Sequence, residues 1–232
     1  MDLEKNLDIV KNKIMKAASV AGRQYEEITI LAVTKYVEAD EIKKLVQLGM
    51  KNIGENRIQD ALRKQRELVD LREEINWHFI GSLQTNKVRQ AVSDFKLIHS
   101  LDRFRLAEAI NQQGLKQGQK VHCLIQVNIS GEDTKQGLAP GEVMDFYKKV
   151  KVMPGITLSG LMTMAPYTDK PEEVRPIFRE LRVLFNRIKQ EFNPGQEWSE
   201  LSMGMSNDYE VAIEEGATIV RIGTAIFRPE EG

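Results

Sequence analysis

Apolar positions along the chain gather into eight short runs of β-forming residues: "ITILAVTK" (28–35), "KNIGEN" (51–56), "WHFIGSL" (77–83), "KLIHSLD" (96–102), "VHCLIQVNI" (121–129), "ITLSGLMTMA" (156–165), "EWSELSMGM" (197–205) and "TIVRIGTAIF" (218–227). Most are apolar at successive positions, so both faces of each strand are expected to be buried, as in a parallel sheet. Between them the period changes to that of a helix. In "PEEVRPIFRELRVLFNRIKQEF", Val174, Ile177, Phe178, Leu181, Leu184, Phe185, Ile188 and Phe192 step by threes and fours, which predicts a helix with one face on a core. Near residues 38–50, Ile42, Leu45, Val46 and Met50 follow an acidic first turn of Glu38, Asp40 and Glu41, charges that suit a helix N-terminus. Eight strands alternating with helices predict a parallel (β/α)8 barrel, a TIM-barrel α/β fold, as one unit over residues 1–232; an open doubly wound sheet is the alternative. The amphipathic start, "MDLEKNLDIVKNKIMKAASV", predicts an extra N-terminal helix before strand one, expected to cover the base of the barrel.

Charge and cysteine content narrow the function classes. Basic and acidic residues nearly balance, 33 against 34, for a net charge of -1, and no basic block is interleaved with aromatics, so neither nucleic acid nor an anionic membrane is an expected partner. The single cysteine, Cys123, excludes an internal disulfide, and the charged N-terminus lacks the apolar core of a signal peptide. A cytoplasmic protein is expected, as a monomer. His78, His99, His122 and Cys123 have no compact ligand spacing, so no metal is predicted.

In a barrel of this kind the chemistry gathers where strands end and βα loops begin. Lys35 closes run one, placing an amine at that mouth. Runs seven and eight end in "SMGMSND" (202–208) and "RIGTA" (221–225), the two loops that often bind phosphate in this fold. There Gly204 and Gly223 permit close backbone approach, Ser202, Ser206 and Thr224 supply hydroxyls, and Ser206 could cap a helix starting near Asn207. Arg221 lies in phase with Gly223 on the same strand, and a buried guanidinium needs a partner. An amine, a phosphate cradle and a guanidinium suit pyridoxal 5′-phosphate, with the lysine on its aldehyde and the arginine facing its ring nitrogen. An arginine there holds its own proton and leaves the ring a weak electron sink, which argues against transamination. A phosphosugar isomerase or aldolase would use the same barrel, lysine and cradle.

The motifs "AVTK", "IGENRIQD", "WHFIGSLQTNK", "IHSLD", "VNISGEDTKQG", "GLMTMAP" and "LSMGMSNDYEVAIEEGATIVRIGTAIF" resemble, in order and spacing, those of the pyridoxal phosphate homeostasis proteins, also called proline synthetase co-transcribed proteins. These are relatives of the alanine racemase N-terminal barrel. The resemblance covers nearly the whole chain. It implies that Lys35 is the Schiff-base lysine, that Arg221 sits beside the pyridine nitrogen, that Ser202, Gly223 and Thr224 bind phosphate, that Asn56, Met162 and Ser206 line the cofactor cavity, and that His78 lies near the mouth. It also implies a noncatalytic protein that binds, buffers or delivers the cofactor, with apo-enzymes as partners and effects on vitamin B6 and amino-acid balance; a weak amino-acid racemase is the alternative. The sequence departs from the pattern at Arg57, where tyrosine is frequent, and at Arg228 before the "PEEG" end. Racemases of this barrel type add a β-domain and a tyrosine base opposite the lysine. Tyr36 adjoins Lys35 but is expected to point to the opposite face and pack outside the barrel.

Overall fold

The computed structural model describes residues 2–132 and 134–228. Eight parallel strands, β1 (Thr29–Val33), β2 (Asn52–Glu55), β3 (Asn76–Phe79), β4 (Leu97–Leu101), β5 (Val121–Gln126), β6 (Ile156–Met162), β7 (Glu200–Met205) and β8 (Ile219–Ile222), close into a barrel in sequence order. Strand eight returns to strand one with Leu31 opposite Arg221 and Ala32 opposite Ile222, which excludes the open sheet. The predicted runs are each longer than the strands. The greatest excess is in "TIVRIGTAIF", where the strand stops at Ile222 and residues Thr224–Phe227 form a one-turn helix, α9.

The helices form the outer layer: α1 (Leu3–Val20), α2 (Ala39–Gln47), α3 (Ile58–Glu67), α4 (Val88–Asp94), α5 (Phe104–Gln117), α6 (Val143–Val150), α7 (Arg175–Phe192) and α8 (Tyr209–Glu214). The stripe predicted on α7 is the buried one, with Phe178, Leu181, Leu184, Phe185 and Ile188 inside. Asn193 ends that helix in a left-handed conformation, which asparagine tolerates better than most residues. On α2 the predicted Ile42, Leu45 and Val46 are buried.

α1 does not lie under the base of the barrel. It buries Leu7, Val10, Ile14, Ala17 and Ala18 against the side of the molecule, packed on α8 and α9, and the Asn6 side chain donates to Ile226 O at 3.0 Å. The reason is geometric: a four-residue helix after β8 cannot cover a strand-length stretch of barrel wall, and the 18-residue α1 covers it instead.

Candidate functional site

Lys35 lies two residues beyond β1, exposed at the C-terminal end of the barrel. The backbone below it is held from inside. Thr34 is fully buried, its hydroxyl donates to Glu55 Oε1 at 2.5 Å, and its carbonyl accepts from Lys64 Nζ at 2.7 Å. Lys64 closes the triangle with an ion pair to the same Glu55 oxygen at 2.6 Å. Both charges are sequestered from water, and Glu55 Oε2 has no partner among the described atoms. A buried pair of this kind adds little net stability but tolerates the loss of neither partner, so it fixes where the chain turns into Lys35. Tyr36 does not pack outside the barrel: it is 73% exposed, with its ring centroid 5.0 Å from Lys35 Nζ, within cation–π range.

Asn56 follows β2 beside this turn, half-buried, and its Oδ1 is buried without a partner among the described residues. The loop after β3 lies so close to it that a Cβ on Gly81 would meet Asn56 O at 2.0 Å. Only glycine fits there.

The loops after β7 and β8 meet at Ser206. Its hydroxyl does not cap α8, where Asp208 is the N-terminal flanking residue. The Ser206 oxygen instead accepts from Gly223 N and Ala225 N, each at 3.2 Å, across the start of α9. Gly204 has φ +91°, and a Cβ on it would stand 2.6 Å from that of Ala212, so glycine lets β7 turn tightly onto α8. Thr224 is exposed at the first position of α9, and Gly223 lies beside Val33 at the end of β1. Lys35, Ser206, Gly223 and Thr224 therefore belong to adjoining strand ends.

Ser202 and Met162 sit elsewhere. Both are fully buried and present no surface to the mouth. Ser202 Oγ accepts from Arg221 Nη1 at 2.8 Å and faces His99 Nδ1 at 2.9 Å, so its partners are inside the barrel and not in the loops after β7 and β8. Met162 packs with Leu31, Leu97, Leu124 and Ile219 in an inner apolar cluster. Arg221, 4% exposed, also donates from Nη2 to Thr163 O at 2.8 Å. Burial lowers its pKa to about 10, against the opposing charge of Asp208, so it stays cationic at neutral pH. Asp208, whose Oδ1 accepts from Met205 N, has its pKa raised by burial.

His78 is not at the mouth. Its Nδ1 lies 3.0 Å from His99 Nε2, within the barrel, and its ring lines a cavity at the opposite, N-terminal end. Burial pushes its pKa down to about 3, with Lys96 adding to the shift, and His99 is held well below the usual histidine value by burial, by His78 and by Arg221. Both rings are neutral at physiological pH. The charged "GEDTKQG" loop is tied to the barrel through Asn128, which donates to Glu132 O and Lys135 O and accepts from Gly131 N; Asp133 and the "PEEG" end lie outside the described residues.

Two groups went unread in the sequence. Lys64 continues the buried face of α3 set by Ile58 and Ala61, and a lysine in an apolar stripe is a signal for a buried counter-charge. The column from His78 through His99 and Ser202 to Arg221 joins four strands, and no local spacing announces it.

The chain and its fold have counterparts among known proteins. The family model described as alanine racemase, N-terminal domain, matches residues 6–230. A protein of Aquifex aeolicus named pyridoxal phosphate homeostasis protein is 44% identical, covering 98% of each chain, and one of the same name from Pseudomonas aeruginosa is 39% identical, covering 97% of this chain and 94% of its own. Among solved structures, PipY of Synechococcus elongatus with PLP bound superposes with a TM-score of 0.82 at 32% identity, over 92% of this chain and 99% of its own. Alanine racemase of Clostridium difficile shares the fold with a TM-score of 0.74 at 15% identity, over 97% of this chain and 59% of its own. The chain belongs to the alanine racemase N-terminal domain family, within the branch of the pyridoxal phosphate homeostasis proteins.

Proposed function

We propose that this protein holds pyridoxal 5′-phosphate at the mouth of its barrel, through Lys35 and the loops after β7 and β8, and serves to buffer or deliver the cofactor without catalysing a reaction of its own. The observation that carries the reading is the Ser206 oxygen accepting from two converging backbone amides, Gly223 N and Ala225 N, on the strand end adjoining that of Lys35. Amides and hydroxyls are the donor set a phosphate takes, and the unpartnered Asn56 Oδ1 leaves an acceptor for a bound polar group. The residues fit the cofactor. Lys35 would hold it covalently through Nζ, the hydroxyls of Ser206 and Thr224 would take its phosphate together with the amides of Gly223 and Ala225 once these exchange the Ser206 oxygen for it, and Arg221 would face its ring. The bound group supplies a reactive aldehyde and an electron-withdrawing ring.

The chain's own residues restrain that chemistry. Arg221 is permanently charged and engaged by Ser202 and Thr163, so it offers the ring nitrogen no proton. Relatives named as homeostasis proteins rather than enzymes support the noncatalytic reading, and cytoplasmic apo-enzymes would be the recipients, with the barrel acting as a monomer. The test is to load the protein with pyridoxal phosphate, reduce with borohydride and map the modified peptide. Wild type should carry the pyridoxyl group on Lys35 and Lys35→Ala should not; label on another lysine, or on none, would refute the site. Chiral chromatography of amino acids incubated with loaded protein should show no turnover, and sustained racemisation would overturn the noncatalytic part.

A further inference from the structure

At the N-terminal end of the barrel, away from Lys35, lies a cavity of about 400 Å3 lined by Asn52, His78, Lys96, His122, Glu197 and Glu200, among others. His78 is 4% exposed, and its Nε2 is buried without a partner. The direction of hydrogen bonding at this atom follows from the other end of its column. Arg221 has no acceptor, so it donates to Ser202. The other contact of Ser202 Oγ among the described residues is His99 Nδ1, so the buried hydroxyl proton finds an acceptor only if His99 Nδ1 receives it. His99 therefore carries its hydrogen on Nε2 and gives it to His78 Nδ1, and His78 carries its own on Nε2. A buried donor without a partner among the described residues thus lies in the wall of the cavity, where leaving it unpaired is unfavourable.

The charges around the cavity are segregated. His78 and Lys96 belong to β3 and the start of β4, which in the closed strand order stand across the barrel from β7, where Glu197 and Glu200 enter. Among the described residues, Lys96 has no carboxylate partner and neither glutamate has a cationic one; Lys96 donates to Asn76 Oδ1, and Glu200 accepts from Ser199 and Thr218 hydroxyls. One side offers donors and positive charge, and the other offers negative charge. A simple anion would meet the glutamates, and a simple amine would meet Lys96.

We propose that this cavity is a second ligand site, distinct from the mouth, that takes a small α-amino-acid zwitterion with its carboxylate toward His78 Nε2 and Lys96 and its ammonium toward Glu197 and Glu200. The inference does not rest on the cofactor reading. The chain has three histidines, so the ring nitrogens can be assigned by long-range ¹H–¹⁵N correlation on protein free of pyridoxal phosphate. L-alanine, L-serine, propionate and n-propylamine are then titrated in turn. The expected result is a shift of the His78 Nε2 resonance with the amino acids at concentrations where propionate and n-propylamine leave it unmoved. Lys96→Met and Glu197→Gln, both at exposed positions, should each weaken the amino-acid response about five- to tenfold, while Ser206→Ala at the mouth should not change it. Three results would overturn the site: no response from His78 with any probe, meaning that the cavity holds water only; an equal response to propionate; or a response unchanged in both charge variants. A His78 ring protonated on Nδ1 alone would refute the assigned direction of the column.

Discussion

The buried histidine pair makes a quantitative prediction about acid. His78 and His99 are neutral inside the barrel, with His78 at about 3 and His99 shifted in the same direction. In the unfolded chain both return to about 6.5. Below that value the unfolded state binds protons that the folded state refuses, so stability falls as pH falls; it is fully present above about pH 6.5 and, for His78, continues to be lost down to about pH 3. A ring held neutral in this way contributes a slope of up to about 1.4 kcal/mol per pH unit, so His78 alone removes about 2–3 kcal/mol between pH 6.5 and 4.5, and His99 adds a loss in the same direction. That is a sizeable fraction of the whole stability of an ordinary domain, and it acts before most carboxylates begin to titrate. Urea unfolding at half-unit intervals from pH 7.5 to 4.5 measures it, for wild type and for His78→Gln, which keeps a polar side chain but does not titrate. The variant should be less stable at pH 7.5 and show a clearly smaller slope than wild type. A wild-type stability flat from pH 6.5 to 4.5, or equal slopes in the two proteins, would refute the reasoning.

Lys64→Met strands the Glu55 carboxylate inside the protein and should cost about 3–5 kcal/mol, read as a fall of about 6–20 °C in Tm by circular dichroism; the double variant Lys64→Met, Glu55→Leu should recover much of that loss, and a double variant no better than the single one would show that the pair is not the cause. Ser206→Ala should weaken retention of pyridoxal phosphate about ten- to a hundredfold in equilibrium dialysis by removing a hydroxyl from the phosphate loops. Ser202→Ala should instead act through Arg221, changing the visible spectrum of the bound cofactor more than the grip on free inorganic phosphate; equal effects of the two serine variants on phosphate would contradict their placement in separate layers.

Periodicity made the barrel legible because each strand is buried on both faces and each helix on one, so local hydrophobic pattern and global position agree. It overextended β8 because "GTAIF" is as apolar as a strand, while the backbone turns at Gly223 into α9. The mouth was legible for a similar reason: Lys35, Ser206, Gly223 and Thr224 sit at strand ends, where sequence order alone assigns a residue to one end of the barrel. The burial of Ser202 and Met162 was not legible, because depth within the barrel depends on stagger, and the β7–β8 register itself shifts between Ser202 and Met205. A run of letters does not show that a serine behind the arginine and a serine among the loop amides, with only three residues between them, lie at different depths.

The partners of Arg221 show why that depth matters. A buried guanidinium could have been matched by a carboxylate, which would have cancelled its charge. It is matched instead by a hydroxyl and a carbonyl, Ser202 and Thr163, with Asp208 near enough to be felt but not paired. Neutral partners satisfy the hydrogen bonds and leave the positive charge uncompensated, which is why burial can depress the pKa to about 10. A carboxylate at position 202 would hold the arginine more tightly and erase the field. The serine therefore keeps the barrel interior around Arg221 electropositive, and the histidines behind Ser202, neutral and hydrogen-bonded in one direction, hold its hydroxyl without adding a charge. A mouth built in this way favours an anionic ligand even before the loop amides contribute.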